Sequence, residues 1–266
     1  MNYLANLLRA EWQLLRHIRL ASLAGLLLIS LPTALVLAGA LLSHETSLPP
    51  MSIVLPVLAA VLGPLGGLLT ALILVFSLGY EFDWGTVRTT LARGVSRPAW
   101  LAAKVLVVVL AEAVALLLST ALCLLALWAV YGARGQYPTA APWQTLLWVE
   151  VGGVLAAWVA AGAVTLGAVV TRSPLGGLLL GLFAYVADLA LSFQIVDLYA
   201  ADLGAASAPF ARYLVTWNTV SLAVHEFHPL PEPGWHAARL VLYATGLLAL
   251  AGWLFWQRDL THRTWH

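Results

Sequence analysis

Long apolar runs separated by short polar stretches dominate this chain. A helix that crosses a hydrocarbon core of roughly 30 Å needs about 20 apolar residues. Six runs reach that length and predict six transmembrane helices, at residues 21–42, 52–79, 101–130, 144–171, 175–196 and 238–257. The pattern therefore predicts an all-α, polytopic membrane protein, with residues 1–266 as a single transmembrane domain.

Three of the stretches outside these runs have structural signals of their own. Residues 1–20 have the pattern of a basic amphipathic helix that precedes the first span. Ser173-Pro174 combines a favoured N-cap residue with proline at the first helical position, so the fifth span is expected to begin there after a very short turn. Residues 197–237 are too long for a turn, and their middle, 210–224, predicts an amphipathic helix lying in or dipping into a membrane interface.

Composition agrees with a membrane protein. Hydrophobic residues make up 62% of the chain and charged residues 9%, whereas a soluble domain has about 25% charged residues. The one cysteine, Cys123, excludes an internal disulfide or a cysteine metal cluster. No metal site and no nucleic-acid partner are expected, and the seven histidines all lie outside the predicted spans, which argues against haem ligation within the membrane.

The distribution of basic residues predicts the orientation. Of the thirteen Lys and Arg residues, ten lie on the side that contains both termini and residues 81–100, and three lie on the other side. Cytoplasmic loops carry the excess of Lys and Arg in membrane proteins. Both termini and residues 81–100 are therefore predicted to be cytoplasmic, and residues 197–237 extracytoplasmic.

The segment 81–104 is the most informative part of the chain. Glu81 and Asp83 come before its arginines, and this order of charges suits a helix dipole, so an ordered helix is expected over 82–97. Apolar residues at every fourth position would bury one face of that helix: Val87, Leu91 and Val95. The alternative is a solvated basic loop whose arginines fix the orientation and contact anionic lipid.

The order and spacing of this segment carry a family resemblance. The motif Glu81-x-x-x-Gly85-Thr86-Val87-Arg88-x-x-Leu91-x-Arg93-x-x-Ser96-Arg97, followed by Lys104, resembles the signature between helices 2 and 3 of ABC-2 type transporter permeases. Residues 7–19 are similar to the amphipathic connecting helix of that family. One departure is Gly94-Val95, where many relatives have a proline-containing turn, so the resemblance does not fix where the coupling helix ends.

The resemblance implies a type V exporter-like fold and a specific partner. In the family this segment is a coupling helix that docks into a groove on a separate ABC ATPase subunit. The implied coupling surface consists of Glu81, Gly85, Thr86, Arg88, Leu91, Arg93 and Arg97. ATP and Mg²⁺ would bind to the partner, because this chain contains no Gly-x-x-x-x-Gly-Lys-[Ser/Thr] loop. The chain is therefore expected to have no catalytic residues and no cofactor of its own.

The resemblance also implies an assembly and a location. A second permease copy would complete a homodimer or heterodimer in the inner membrane of a bacterium or archaeon, in contact with membrane lipids. Gly177 and Gly181, which have a spacing that allows close helix approach, are candidates for the dimer interface along the translocation route. The equally spaced Gly63 and Gly67 are instead expected to pack within the chain.

Besides Glu150, which is expected to be interfacial, two acidic residues lie inside predicted spans, Glu112 and Asp188. A charge at membrane depth is costly and often functional, so these residues are candidates for cavity-lining or proton-handling groups. The alternative is that each is hydrogen-bonded to Ser, Thr or Tyr on a neighbouring helix. An ATP-independent secondary transporter with one of them as its proton site, or a non-transporting partner or immunity subunit, remains an alternative function. The sequence does not identify a substrate.

Overall fold

A computed structural model describes residues 3–42, 51–83, 86–92, 94–133, 143–171, 173–200, 213–224 and 233–257. Within these ranges the chain is almost entirely helical. The helices are α1 (Tyr3–His17), α2 (Arg19–Leu42), α3 (Met51–Asp83), α4 (Thr86–Ala92), α5 (Arg97–Ala133), α6 (Trp143–Thr171), α7 (Pro174–Ala200), α8 (Val215–Val224) and α9 (Pro233–Gln257).

Six of these helices, α2, α3, α5, α6, α7 and α9, are long and apolar enough to cross a membrane. The prediction of an all-α protein with six spans is therefore confirmed. Large apolar side chains point outward from several of them, among them Leu26 (64% exposed), Leu117 (57%) and Phe183 (75%). Such an apolar surface is suited to contact with the acyl chains of lipids.

Helix α6 lies at the centre of the bundle and packs against α3, α5, α7, α8 and α9. Small side chains make this possible, because they let neighbouring backbones approach closely. Gly153, Ala157 and Ala161 are all buried on α6. The helix thus serves as the packing core for the others.

Helix α1 is amphipathic, as predicted, and packs against α5. Its inward side follows a spacing of three and four residues, from Leu8 through Glu11 and Leu15 to Ile18. Ile18 also separates α1 from α2. One member of the inward side is a carboxylic acid, Glu11, which is only 7% exposed.

The structure corrects the expected helix over 82–97. Helix α3 continues to Asp83, so Glu81 and Asp83 belong to its last turn and do not begin the next helix. Helix α4 ends at Ala92, and Gly94 has a φ of +89°, a left-handed conformation that glycine adopts without steric cost. Ser96 then caps α5, because its hydroxyl accepts a hydrogen bond of 3.4 Å from the N–H of Ala99.

The start of α7 agrees with the sequence. Helix α7 begins at Pro174, and the hydroxyl of Ser173 accepts a hydrogen bond of 3.5 Å from the N–H of Gly176. The glycines of α3 pack inside the chain, as expected. Gly63 faces Thr219 of α8, and Gly67 faces the ring of Tyr185 on α7.

Helix α8 differs from the predicted interfacial helix. It is wedged among α3, α6, α7 and α9, and its polar side chains Thr216, Asn218 and Ser221 are buried together with Leu222. Of these polar side chains, Asn218 makes hydrogen bonds inside the bundle, to the carbonyl oxygen of Leu214 and to His236. Phe210, the first residue of the predicted apolar face, lies outside the described residues.

One histidine also lies elsewhere than expected. His236 is on α9 within a candidate span, 2% exposed, and its Nδ1 is 2.8 Å from Oδ1 of Asn218. The prediction that every histidine lies outside the spans is therefore wrong for His236. The sixth span begins earlier than its apolar run, because Pro233 starts the helix.

Candidate coupling site

A buried ammonium group joins three helices next to α4. Lys104 of α5 is 1% exposed, and its Nζ donates to Glu11 Oε2 at 2.8 Å, to Glu81 Oε1 at 2.8 Å and to Ser77 Oγ at 3.0 Å. A lysine ammonium has three N–H donors. All three are therefore used, and they connect α5 to α1 and α3.

Trp100 completes this arrangement, which we call the ion cluster: Glu11, Ser77, Glu81, Trp100 and Lys104. The indole N–H of Trp100 donates to the other oxygen of Glu81, Oε2, at 2.9 Å. Lys104 Nζ also lies 5.4 Å from the centre of a Trp100 ring, within the range of a cation–π interaction. Glu81 therefore faces inward and is held by two side chains of α5.

The ion cluster contains two carboxylates and one ammonium, so its charges do not balance when all three are ionised. Burial is the largest influence on Glu11 and raises the pKa of its carboxyl above the ordinary 4.5. Lys104 opposes this effect, and the negative charge of Glu81 adds to it. Protonation of Glu11 would leave a balanced pair.

This shift predicts a pH dependence of stability. An acid whose pKa is raised in the folded state contributes stability that is fully present below the unfolded value and is lost as pH rises through the folded value. We expect the stability of the wild-type protein relative to Glu11→Gln to be greatest below 4.5 and to fall as pH rises above it. Thermal unfolding of both proteins between about pH 4 and about pH 8 measures this difference. If the stability of the wild type relative to Glu11→Gln instead increased with pH, the raised pKa of Glu11 would be contradicted.

Arg97 links the beginning of α5 to the end of α9. Its Nη1 donates to the carbonyl oxygens of Phe255 and Trp256, each at 3.3 Å. The last carbonyls of a helix lack partners within the helix, and a cation there also suits the helix dipole. The centre of the Phe255 ring lies 5.8 Å from the centre of the Trp100 ring. The end of α9 is thus held beside the ion cluster.

Helix α4 lies between the ends of α3 and α5 and has one buried face, as the sequence predicts. Val87 is 2% exposed, and Leu91 and Val95 are partly buried against the main core. Thr89 and Ala92 are exposed on the other side. Leu91 therefore packs inward. The surface of α4 that a partner could reach includes Thr89 and Ala92, which are not among the coupling residues that the motif implies.

The remaining predicted coupling residues are only partly described. Thr86 and Arg88 lie on α4, where the structure describes their backbone but not their side chains. Gly85 and Arg93 lie outside the described residues. Glu81, Leu91 and Arg97 are brought to one end of the bundle, but each has an interior or helix-capping contact there.

Asp188 of α7 caps helix α8. Its Oδ1 accepts a hydrogen bond of 2.6 Å from the N–H of Val215, and its Oδ2 accepts one of 2.8 Å from the N–H of Thr216. The first N–H groups of a helix have no partners within it. This contact agrees with a structural role for Asp188, although the partners are backbone amides instead of the expected side-chain hydroxyls.

Substitution of Asp188 tests this capping role. Asp188→Ala should lower the free energy of unfolding by about 1–2 kcal/mol, because two partly buried N–H groups lose their acceptor. Asp188→Asn keeps one acceptor oxygen and should cost less. Chemical unfolding in detergent measures the free energies of unfolding of the two variants. Equal stability of Asp188→Ala and the wild type would contradict the capping role.

Glu112 of α5 is 4% exposed and faces α3 at Gly66. A Cβ atom added to Gly66 would lie 2.5 Å from Glu112 Oε1, so glycine provides the space for this carboxyl group. Thr70 lies beside it. The Thr70 hydroxyl is close enough to influence the carboxyl group, but within the described part of the chain neither it nor Glu112 Oε1 makes a hydrogen bond of ordinary geometry. Glu112 is thus a buried, incompletely satisfied polar group on the membrane-spanning part of α5.

Gly177 and Gly181 pack against α6 of the same chain. A Cβ atom on Gly177 would lie 2.8 Å from the carbonyl oxygen of Val164, and one on Gly181 would lie 2.9 Å from the Val164 Cα. Both glycines are buried within a single chain. Their close-approach spacing therefore has a partner inside the molecule, and a dimer interface at these two glycines stays a prediction.

Lys104 belongs to the motif, but the motif does not identify its partners. A signal was present in α1, since Glu11 occupies an inward position in a row of apolar residues. Lys104 likewise lies within a long apolar run, near its start. Two opposite charges at apolar positions would have suggested a buried pair.

The fold and the site define a polytopic helical membrane protein with a short helix between its second and third spans. The family described as ABC-2 family transporter protein matches residues 7–188, more than half of the chain. The chain belongs to this family. The matched region contains most of α1, all of α2 to α6 and more than half of α7, and therefore the whole ion cluster. No curated protein matches the chain.

Proposed function

We propose that this chain is the permease subunit of an ATP-driven exporter of the ABC-2 type. ATP and Mg²⁺ would bind to a separate ABC ATPase, and two permease copies, identical or related, would enclose the translocation route. The termini and α4 would face the cytoplasm of a bacterium or archaeon, because the side that contains them has ten of the thirteen basic residues.

One observation carries the coupling proposal: the ion cluster fixes α1, α3 and α5 to one another at the point where α4 connects α3 to α5. A helix that is packed by one face and flanked by two spans cannot move independently of them. A force applied by an ATPase to the outer face of α4 would therefore reach α3 and α5 together.

The effect on transport is a shift between conformations. Nucleotide-driven closure of the ATPases would move α4, and the ion cluster would make α1, α3 and α5 follow as one unit. Such a shift requires that the ATPase bind the two conformations with different affinity. Arg97 would extend the movement to α9 through the carbonyls of Phe255 and Trp256.

Substitution on the outer face of α4 tests this function. Ala92→Trp places a large side chain on the exposed face, and we expect it to reduce co-purification of an ABC ATPase at least tenfold, equivalent to about 1.4 kcal/mol. The matched control is Ala121→Trp, an exposed alanine on α5, which should retain the ATPase. The chain is expressed with its native neighbours, and ATP hydrolysis is assayed. A wild-type preparation without an ATPase would contradict the proposal.

Glu112 supports a second candidate function, an ion-driven secondary transporter. The supporting observation is its buried carboxyl oxygen without a hydrogen-bond partner in the described ranges. Glu112→Gln should then abolish uptake or efflux driven by a proton gradient in proteoliposomes. Transport that requires ATP and survives Glu112→Gln would exclude this candidate.

A further inference from the structure

A concave apolar groove lies where α5 and α9 diverge over α6. Helix α9 packs extensively on α6 but only lightly on α5, which leaves the groove open between them. Its volume is about 570 Å³, within the range of about 300–1,000 Å³ for ligand sites. The lining includes Leu101, Val105, Trp158, Leu248, Gly252 and Trp253.

The length of the groove matches one leaflet of a membrane. It extends from Pro98 to Leu106 on α5 and from Leu248 to Trp256 on α9. At 1.5 Å per residue, each of these stretches is roughly 12 Å long. Half of a hydrocarbon core is about 15 Å deep. An acyl chain that lies along the groove would therefore remain at its normal depth.

A positive charge marks one end of the groove. Arg97 directly precedes the lining residue Pro98, and its guanidinium is fixed on the carbonyls of Phe255 and Trp256. Trp253 and Trp256, which are 51% and 68% exposed, lie at the same end. Tryptophan is enriched at headgroup depth, and a guanidinium group is well suited to bind phosphate.

We propose that this groove is a binding site for an anionic phospholipid, with an acyl chain along α5 and α9 and the phosphate beside Arg97. This inference is independent of the transport function. The charge at one end and the apolar walls along the rest match the two parts of such a lipid. A protein partner would need to bury about 1,000 Å² in a stable contact, which exceeds what a narrow groove provides.

Two glycines of α9 provide a matched pair of variants. Gly252 lines the groove, and a Cβ atom there would meet no other atom within 4 Å, so Gly252→Leu should fill the groove without disturbing the packing. Gly246 is on the same helix, is exposed and is equally open, but it does not line the groove. Gly246→Leu is therefore the control for a leucine on α9.

The test uses phosphatidylglycerol and phosphatidylcholine that carry a photoactivatable group on the acyl chain. The full chain is reconstituted in nanodiscs and irradiated, and labelled peptides are mapped. We expect labelling of α5 and α9 at the groove, a reduction of at least about fivefold in Gly252→Leu, and wild-type labelling in Gly246→Leu. Equal labelling of the two variants, or labelling confined to peptides outside the groove, would overturn the proposal.

The headgroup is tested separately. Phosphatidylglycerol should label the wild-type groove about fivefold more than phosphatidylcholine, because one basic residue near an anionic headgroup contributes a preference of this order. Arg97→Gln should remove the preference while acyl-chain labelling persists, and Arg97→Lys should retain part of it. Equal labelling by both lipids in the wild type would contradict a site for an anionic lipid.

Discussion

Lys104→Met is expected to lower the free energy of unfolding by about 3–5 kcal/mol, because it leaves two buried carboxylates without their cation. Lys104 is the donor in three hydrogen bonds, and its carboxylate partners come from α1 and α3. Unfolding by denaturant titration in mixed micelles measures the change. Loss of the folded protein on expression would be the extreme form of the same effect.

Two further variants make this prediction specific. The triple variant Glu11→Gln, Glu81→Gln, Lys104→Met removes all three charges, and it should recover most of the lost stability, since replacement of a whole buried ion group is often nearly neutral. Arg16→Met removes an exposed cation from α1 and should change stability by no more than about 0.5 kcal/mol. A triple variant as unstable as Lys104→Met would show that charge imbalance is not the cause.

Gly177→Ala is expected to lower the free energy of unfolding by about 1–3 kcal/mol through overpacking. Its new Cβ atom would lie 2.7 Å from the Ala168 Cβ, 2.8 Å from the Ala168 backbone nitrogen and 2.8 Å from the Val164 carbonyl oxygen. Two of these are backbone atoms, so α6 and α7 must separate. Thermal unfolding and size-exclusion chromatography in detergent measure the effect.

The control for Gly177→Ala is Gly246→Ala. Gly246 lies in α9 with nothing within 4 Å of an added Cβ, and alanine at such a helical position should stabilise the protein by up to about 1 kcal/mol. A Gly177→Ala protein that is as stable as the wild type but has lost its oligomeric state would instead support a dimer interface at this glycine.

The spans could be predicted because each one is a long apolar run, and the signal for a membrane helix is local. The start of α7 was predictable for the same reason, since Ser173 and Pro174 are adjacent in sequence. The packing partners of the helices inside the bundle were harder to predict. Glycine spacing shows that a helix can approach another, but it does not show which one, so the contact of Gly177 with α6 could not be predicted.

The ion cluster could not be predicted in the same way, because it depends on contacts between distant parts of the chain. Glu11 and Lys104 are 93 residues apart, and Glu81 and Lys104 are 23 residues apart. The motif correctly drew attention to residues 81–104, but its charge order suggested that Glu81 begins a helix. In the structure Glu81 lies in the last turn of α3, where an acidic residue is unfavourable for the helix dipole, and Lys104 compensates for it.

The most direct test of the coupling account is photocross-linking from α4 in native membranes. A photoreactive amino acid is introduced at Ala92, on the exposed face of α4, and at Ala121, on an exposed part of α5. The account predicts that position 92, but not position 121, cross-links to one polypeptide that also reacts with a photoreactive ATP analogue. Adducts to lipid alone at position 92, or to a protein that does not bind ATP, would contradict it.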